Sequence, residues 1–373
     1  MGSQQQAVLE RYSEGAAVRQ PSLCCPVNYD ARLLDLLPAE IIEKDYGCGD
    51  PSRYVRAGDT VLDLGSGAGK LCYIAAQIVG PAGRVIGVDM NDDMLELARK
   101  YQKEMAVRLG GDRVSFLKGR IQDLALDVDA QDRWLAAHPV GSSADFAAFE
   151  NWRSAQHAHT PLIPDASVDV VISNCVLNLV DEADRRRLIG EIHRVLKPGG
   201  RVAISDIVSD EPVPAHLKAD ATLWSGCISG AFQEHEFLCA FTDAGFRAVG
   251  YDKWDPKPWQ VVEGIEFRSV TLTAVKAAAG PSLDCGHAVI YRGPYAEVRD
   301  DENNVFPRGV RMAVCERTYH FLTGGPYRDN FIGVPPAAAC EPRPWCAVPG
   351  TRRPAAQGKG AIHSGSCGSD GCC

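Results

Sequence analysis

No stretch of about 18 consecutive apolar residues occurs in this 373-residue chain, so no transmembrane helix is expected. The first twenty residues are polar and lack the apolar core of a secretion signal. Gln6 stands where N-myristoylation after Met1-Gly2 calls for Ser or Thr. A cytoplasmic protein without a membrane partner is the expectation. Basic charge is also scarce: 39 Lys and Arg against 48 Asp and Glu give a net charge of -9. That excludes non-specific binding to nucleic acid, which needs clustered positive charge. There is no internal repeat and no C-x-x-C pair.

Cysteine itself is abundant, with fourteen spread along the whole chain. In a reducing compartment such cysteines point to thiol chemistry or metal binding rather than to a disulfide scaffold. Between residues 58 and 275, strand-like and helix-like segments alternate, the pattern of a parallel sheet covered on both faces. Strands are predicted at 60–64, 85–89, 113–117, 168–173, 201–205, around 247–251 and 267–275. Helices are predicted near 70–79, 91–108, 184–196 and 233–244, and Lys197-Pro198-Gly199-Gly200 reads as a turn. Residues 125–165 read as an inserted helix or two carrying Trp134 and Trp152.

The run Val61-Leu62-Asp63-Leu64-Gly65-Ser66-Gly67-Ala68-Gly69 is a strand entering a glycine turn. It is not a P-loop, because Lys70 is followed by Leu71 and position 64 is Leu. It is not G-x-G-x-x-G either, because the third glycine comes one residue early. The remaining reading is the Asp-x-Gly-x-Gly-x-Gly loop of S-adenosylmethionine enzymes. Asp89, at the end of the next strand, is placed to accept both ribose hydroxyls. Ile121 and Gln122, after the third strand, are placed near an adenine. The expected fold is α/β: a class I S-adenosylmethionine-dependent methyltransferase with a doubly wound, mostly parallel seven-stranded sheet. A smaller, irregular α+β domain follows.

The fourth strand ends on Asn174-Cys175, where this architecture meets the transferred methyl. Cys227 lies in a glycine-flanked segment after the fifth strand, and such loops gather at the same sheet edge. Cys48 sits between Gly47 and Gly49, which suggests an exposed, mobile thiol. Zinc prefers four ligands in closely spaced pairs. Three distant thiols suit a three-coordinate soft centre such as trivalent arsenic. Its lone pair would face the sulfonium methyl, so no general base is needed, and none stands out in the motifs. Two other readings stay open: methylation of an organic acceptor with incidental cysteines, and a metalloid-binding protein without turnover.

Several motifs together resemble the arsenite S-adenosylmethionine methyltransferases. They are Tyr46-Gly47-Cys48-Gly49, Leu62-Asp63-Leu64-Gly65-Ser66-Gly67, Val88-Asp89-Met90, Ser173-Asn174-Cys175-Val176-Leu177-Asn178-Leu179 and Leu223-Trp224-Ser225-Gly226-Cys227. The resemblance spans nearly the whole chain. It implies Cys48, Cys175 and Cys227 as arsenic ligands, and Cys24 or Cys25 as a redox partner of Cys48. It implies cofactor contacts from Tyr46, Asp63, Gly65, Ser66, Gly67, Gly69, Asp89, Met90, Ile121, Gln122 and Asn174. A thiol reductant of glutathione or thioredoxin type would be co-substrate, arsenite or its thiol conjugates the substrate, and the active species a monomer. The expected domains are an N-terminal extension (1–57), a Rossmann-like cofactor core (58–210), an arsenic-binding region completing the sheet (211–280) and a C-terminal domain (281–373). That last domain ends in a Cys-rich tail expected to be disordered.

Overall fold

A computed structural model describes residues 3–20, 27–278, 280–338, 340–348 and 350–358. Cys24, Cys25 and the tail cysteines Cys367, Cys372 and Cys373 lie outside these described residues. The chain forms two compact units, residues 1–277 and 278–373.

The first unit is built on nine strands: β1 (Thr60–Leu64), β2 (Arg84–Asp89), β3 (Val114–Lys118), β4 (Val168–Asn174), β5 (Leu196–Ser209), β6 (Phe232–Gln233), β7 (Phe246–Trp254), β8 (Gln260–Val262) and β9 (Ile265–Lys276). Their order is β3-β2-β1-β4-β5-β9-β7, with β6 beside β5 and β8 beside β9. Pairing is parallel from β3 to β5, and β9 runs antiparallel to both β5 and β7. β1 and β4 carry near-continuous apolar residues because helices cover both sheet faces. The seven predicted strands all form, and the two short strands β6 and β8 were not foreseen.

The strand order reverses between β1 and β4, where the two following loops diverge and leave a crevice. Leu64 pairs with Ser173, so the chain leaves the sheet side by side at Gly65 and at Asn174-Cys175. Gly65 has φ +70, and a Cβ there would stand 2.5 Å from the Val176 side chain. Only glycine permits that approach. The predicted helix at 70–79 forms as Lys70–Val79. The one over 91–108 breaks at Tyr101 into Asp92–Lys100 and Gln102–Leu109. Lys197–Gly200 is a bulged excursion inside β5: Leu196 pairs with Val168, and pairing resumes at Arg201 with Val170. The insertion forms two helices, Val128–Ala137 and Ser143–His159, joined by stacking of Trp134 on Trp152 at 5.6 Å.

The polar N-terminus holds a helix the sequence did not announce, α1 (Ser3–Ala17). Its Tyr12 and Ala16, one turn apart, pack on Ala68, Met94 and Leu97. In the second unit, the predicted strand Ala288–Tyr291 is the centre of a three-stranded antiparallel sheet with Arg311–Ala313 and Phe331–Val334. The helix Glu316–Gly324 accompanies it, and Val289, Tyr291, Phe306, Met312, Leu322 and Phe331 form its core. Among the described residues no helix is long and apolar enough to cross a membrane.

Candidate active site

Cys48, Cys175 and Cys227 meet at the carboxyl edge of the sheet in one buried cluster. Cys48 is not the exposed, mobile thiol its flanking glycines suggested; its exposure is 0%. The glycines serve close approach instead. A Cβ on Gly47 would lie 2.3 Å from Asn174 Nδ2, and one on Gly49 would lie 2.3 Å from Ser205 Oγ. The loop is fastened at both ends of Cys48. Its N–H donates to Asn174 Oδ1 at 2.9 Å, and its carbonyl accepts from Ser269 Oγ at 2.6 Å.

A disulfide joins Cys48 to Cys175, with Cα atoms 6.0 Å apart. Cys24 and Cys25, the expected redox partners of Cys48, lie outside the described residues, and the sulfur joined to Cys48 is that of Cys175, just past β4, where three reduced thiols were expected. The reason is the Asn174 clamp, which brings the Cys48 backbone onto the end of β4, one residue before Cys175. Cys227 is buried nearby. Its Sγ lies 3.2 Å from the Cys175 carbonyl oxygen and 4.0 Å from the Tyr12 hydroxyl. Cys175 (φ +59) and Cys227 (φ +61) both occupy the left-handed region. That conformation costs a non-glycine residue on the order of 1–3 kcal/mol and is concentrated at functional sites.

Asp206, within β5, was missed by the sequence reading. One of its oxygens and the sulfurs of Cys48 and Cys175 all lie within 4.8 Å of one another. Cys227 does not join that group. Asp206 accepts from the N–H groups of Leu177 (3.0 Å) and Ile207 (2.8 Å), yet burial pushes its carboxyl up to about 7. The available signal was a carboxylate interrupting the apolar run Val202-Ala203-Ile204-Ser205-Asp206-Ile207-Val208.

A cavity lined in part by Cys175 opens over the β1–β4 crevice. Of the expected cofactor residues, Tyr46, Gly65, Gly67, Asp89, Met90, Ile121, Gln122 and Asn174 line it. Asp63, Ser66 and Gly69 do not. Asp63 is buried beneath the loop and accepts from Cys72 Sγ at 3.2 Å. Gly69 starts the following helix at φ +86, where a Cβ would stand 2.7 Å from the Phe116 ring. Ser66 is buried, and its Oγ has no hydrogen-bond partner among the described residues. Asn174 borders the cavity, but its amide is fully engaged by the Cys48 loop and Tyr29. It accepts from the N–H groups of Cys48 and Gly49, and donates to the Gly49 carbonyl and the Tyr29 hydroxyl.

Asp89 accepts from the N–H groups of Gly67 and Asn91, both at 2.8 Å. Burial raises its carboxyl above the usual range. Asp45 pairs with Lys70 at 2.9 Å on the same side. A carboxylate at a strand end, an apolar slot at Met90 and Ile121, and acidic walls suit a ligand with a ribose diol, a purine and a cationic sulfonium. The chain therefore fits S-adenosylmethionine. Sequence reasoning also missed the wall that α1 supplies through Gln5, Val8, Leu9 and Tyr12.

Burial drives the Asp63 carboxyl up to about 8. The folded protein thus keeps that proton to about pH 8, whereas an unfolded chain releases it near 3.9. Between those limits the folded state holds more protons, so this group's contribution to stability falls as pH rises. It is complete below about pH 4 and lost above about pH 8. Asp63→Asn is expected to flatten the decline in unfolding free energy across that window by up to about 1.4 kcal/mol per pH unit. Denaturant titrations at several pH values check this, and an unchanged slope rejects the assignment.

A methyltransferase-domain family matches residues 56–151 and 148–245, and a domain of unknown function matches residues 278–363. The arsenite methyltransferase of Aquipseudomonas alcaligenes is 30% identical over 332 residues, 83% of this chain and 84% of that protein. The mouse arsenite methyltransferase is 30% identical over 83% of this chain and 75% of its own length. That of Halobacterium salinarum is 38% identical over 205 residues, 54% of this chain and 41% of that protein. Among solved structures, an arsenic(III) S-adenosylmethionine methyltransferase from Chlamydomonas reinhardtii is 25% identical, with a TM-score of 0.56. That match covers 87% of this chain and 100% of the other.

Proposed function

This chain belongs to the arsenite methyltransferase family, and from that premise we propose that it methylates trivalent arsenic held by Cys48, Cys175 and Cys227. The observation that carries the reading is the convergence of these three cysteines in one buried cluster, of which Cys175 lines the cofactor cavity. S-adenosylmethionine supplies an electrophilic methyl group on a sulfonium sulfur. Gly65 and Gly67 let the backbone come close to the bound cofactor, and Asp89 holds its ribose. The cysteines fix the arsenic with its lone pair toward the cavity, so orientation replaces a general base. The apolar walls at Leu179 and Val180 keep water from the reacting atoms.

The Cys48–Cys175 disulfide cannot ligate arsenic until it is opened. Two reductant thiols convert it to two cysteine thiols and leave as their own disulfide. Arsenite then binds by exchanging its hydroxyls for thiolates with release of water. The disulfide supports a glutathione- or thioredoxin-type reductant as co-substrate, and the need for such thiols supports a cytoplasmic enzyme. All three cysteines come from one chain, which supports a monomeric active species. A second ligand set has specific support: an Asp206 oxygen and the sulfurs of Cys48 and Cys175 all lie within 4.8 Å of one another, a group that Cys227 does not join. Loss of arsenite binding in Asp206→Asn with retention in Cys227→Ser would favour it.

The deciding experiment incubates the protein with arsenite, S-adenosylmethionine and a thiol reductant, and resolves the arsenic species formed. Methylated arsenic is expected with reductant and none without it. Arsenic that stays bound but unmethylated in the complete mixture rejects the enzymatic reading.

A further inference from the structure

α1 touches both halves of the site. Its Val8, Leu9 and Tyr12 line the cofactor cavity. Asn91, which follows the proposed ribose carboxylate Asp89 by two residues, donates to the Leu9 carbonyl (3.2 Å) and Ser13 Oγ (3.1 Å). On the other side, α1 packs on the helix Ala221–Ser225, which leads directly into Cys227. Arg11 Nη1 donates to the Thr222 carbonyl (2.9 Å) and to Ser225 Oγ (3.0 Å), and Gln4 Nε2 donates to the Lys218 carbonyl (2.7 Å). The Tyr12 hydroxyl reaches the Cys227 sulfur itself at 4.0 Å.

A 15-residue polar helix is marginal in water by itself, so α1 depends on these contacts for its order. We propose that Arg11 and Tyr12 of α1 are positioning residues that set the Cys227 thiol and couple arsenic binding there to occupancy of the cofactor cavity. A ligand packing against Val8, Leu9 and Tyr12 adds contacts to α1. The same helix then holds the Cys227 segment, with its left-handed φ of +61, in the binding geometry. Linkage makes the effect reciprocal: arsenic bound at Cys227 tightens the cofactor site by the same factor. The inference rests on the functional reading above and adds a communication route to it.

The test uses the full chain, reduced with a phosphine, with and without saturating S-adenosylhomocysteine as an unreactive occupant. Arsenite affinity is read from the change in total tryptophan emission, to which Trp224, a buried neighbour of Cys227, contributes, with Cys227→Ser as the blank. In the wild type, the occupant is expected to raise arsenite affinity about fivefold or more. Arg11→Ala should bring that factor close to one while changing S-adenosylhomocysteine affinity less than about twofold. Arg11→Lys, which keeps a donor, should restore part of it. Tyr12→Phe keeps the ring and removes only the hydroxyl, so it tests the sulfur contact even if Arg11→Ala disorders α1. Wild-type coupling in both Arg11→Ala and Tyr12→Phe overturns the proposal, as does its absence in the wild type. A wild type that binds no arsenite in either condition overturns the functional reading, and this proposal with it.

Discussion

Cys175→Ser is expected to lower arsenic methylation by at least about a hundredfold while leaving S-adenosylmethionine binding nearly unchanged. Serine has almost the same size, so the β4 end and the neighbouring Val176 contact with Gly65 survive. What changes is the ligand: a hard hydroxyl does not replace a soft thiolate for trivalent arsenic. Arsenic left on two remaining sulfurs no longer points its lone pair into the cavity, and misplacement of about 1 Å alone costs roughly a hundredfold. Single-turnover methylation and a separate cofactor titration check both halves of this statement. The substitution also abolishes the Cys48–Cys175 disulfide, so the variant should need less reductant to free Cys48. Retention of methylation within a few-fold would mean that the acceptor is not held by these thiols.

Asn174→Ala is expected to destabilise the protein by about 3 kcal/mol and to release Cys48. Asn174 makes four hydrogen bonds, three of them to the backbone of Cys48 and Gly49. Alanine leaves the N–H groups of Cys48 and Gly49 to find new partners, while the Gly49 carbonyl keeps the Tyr29 hydroxyl; each unsatisfied group costs about 1–3 kcal/mol. Some of that is recovered by local relaxation and by water. The second readout is chemical: under reducing conditions Cys48, fully buried in the parent protein, should alkylate faster in the variant. Gly47→Ala attacks the same contact from the other side, because its Cβ would collide with the Asn174 amide. Unchanged stability together with unchanged alkylation would remove Asn174 from this role.

Local pattern carried much of the fold. Alternation of apolar strands with amphipathic helices marked every strand from β1 to β5, and glycine spacing located the cofactor loop. α1 escaped because a polar helix lacks a strong local signal; its few apolar residues acquire meaning only against Met94 and Leu97. Cys48 misled for a related reason. Paired glycines signal mobility in a loop and close approach in a packed site, and only the partner decides between them. Here the partner is Asn174, 126 positions away.

The amino-acid sequence by itself determined the doubly wound sheet and the methyl-donor loop, and marked three candidate cysteines, because each is written in a short local motif. Which of those cysteines touch was decided by tertiary structure. The reversal of strand order between β1 and β4 sets Cys175 beside the glycine turn. The Asn174 clamp then sets Cys48 onto Cys175, and β5 brings Asp206 among them. Contacts between residues tens to more than a hundred positions apart depend on how the sheet closes, and no local run of residues encodes that.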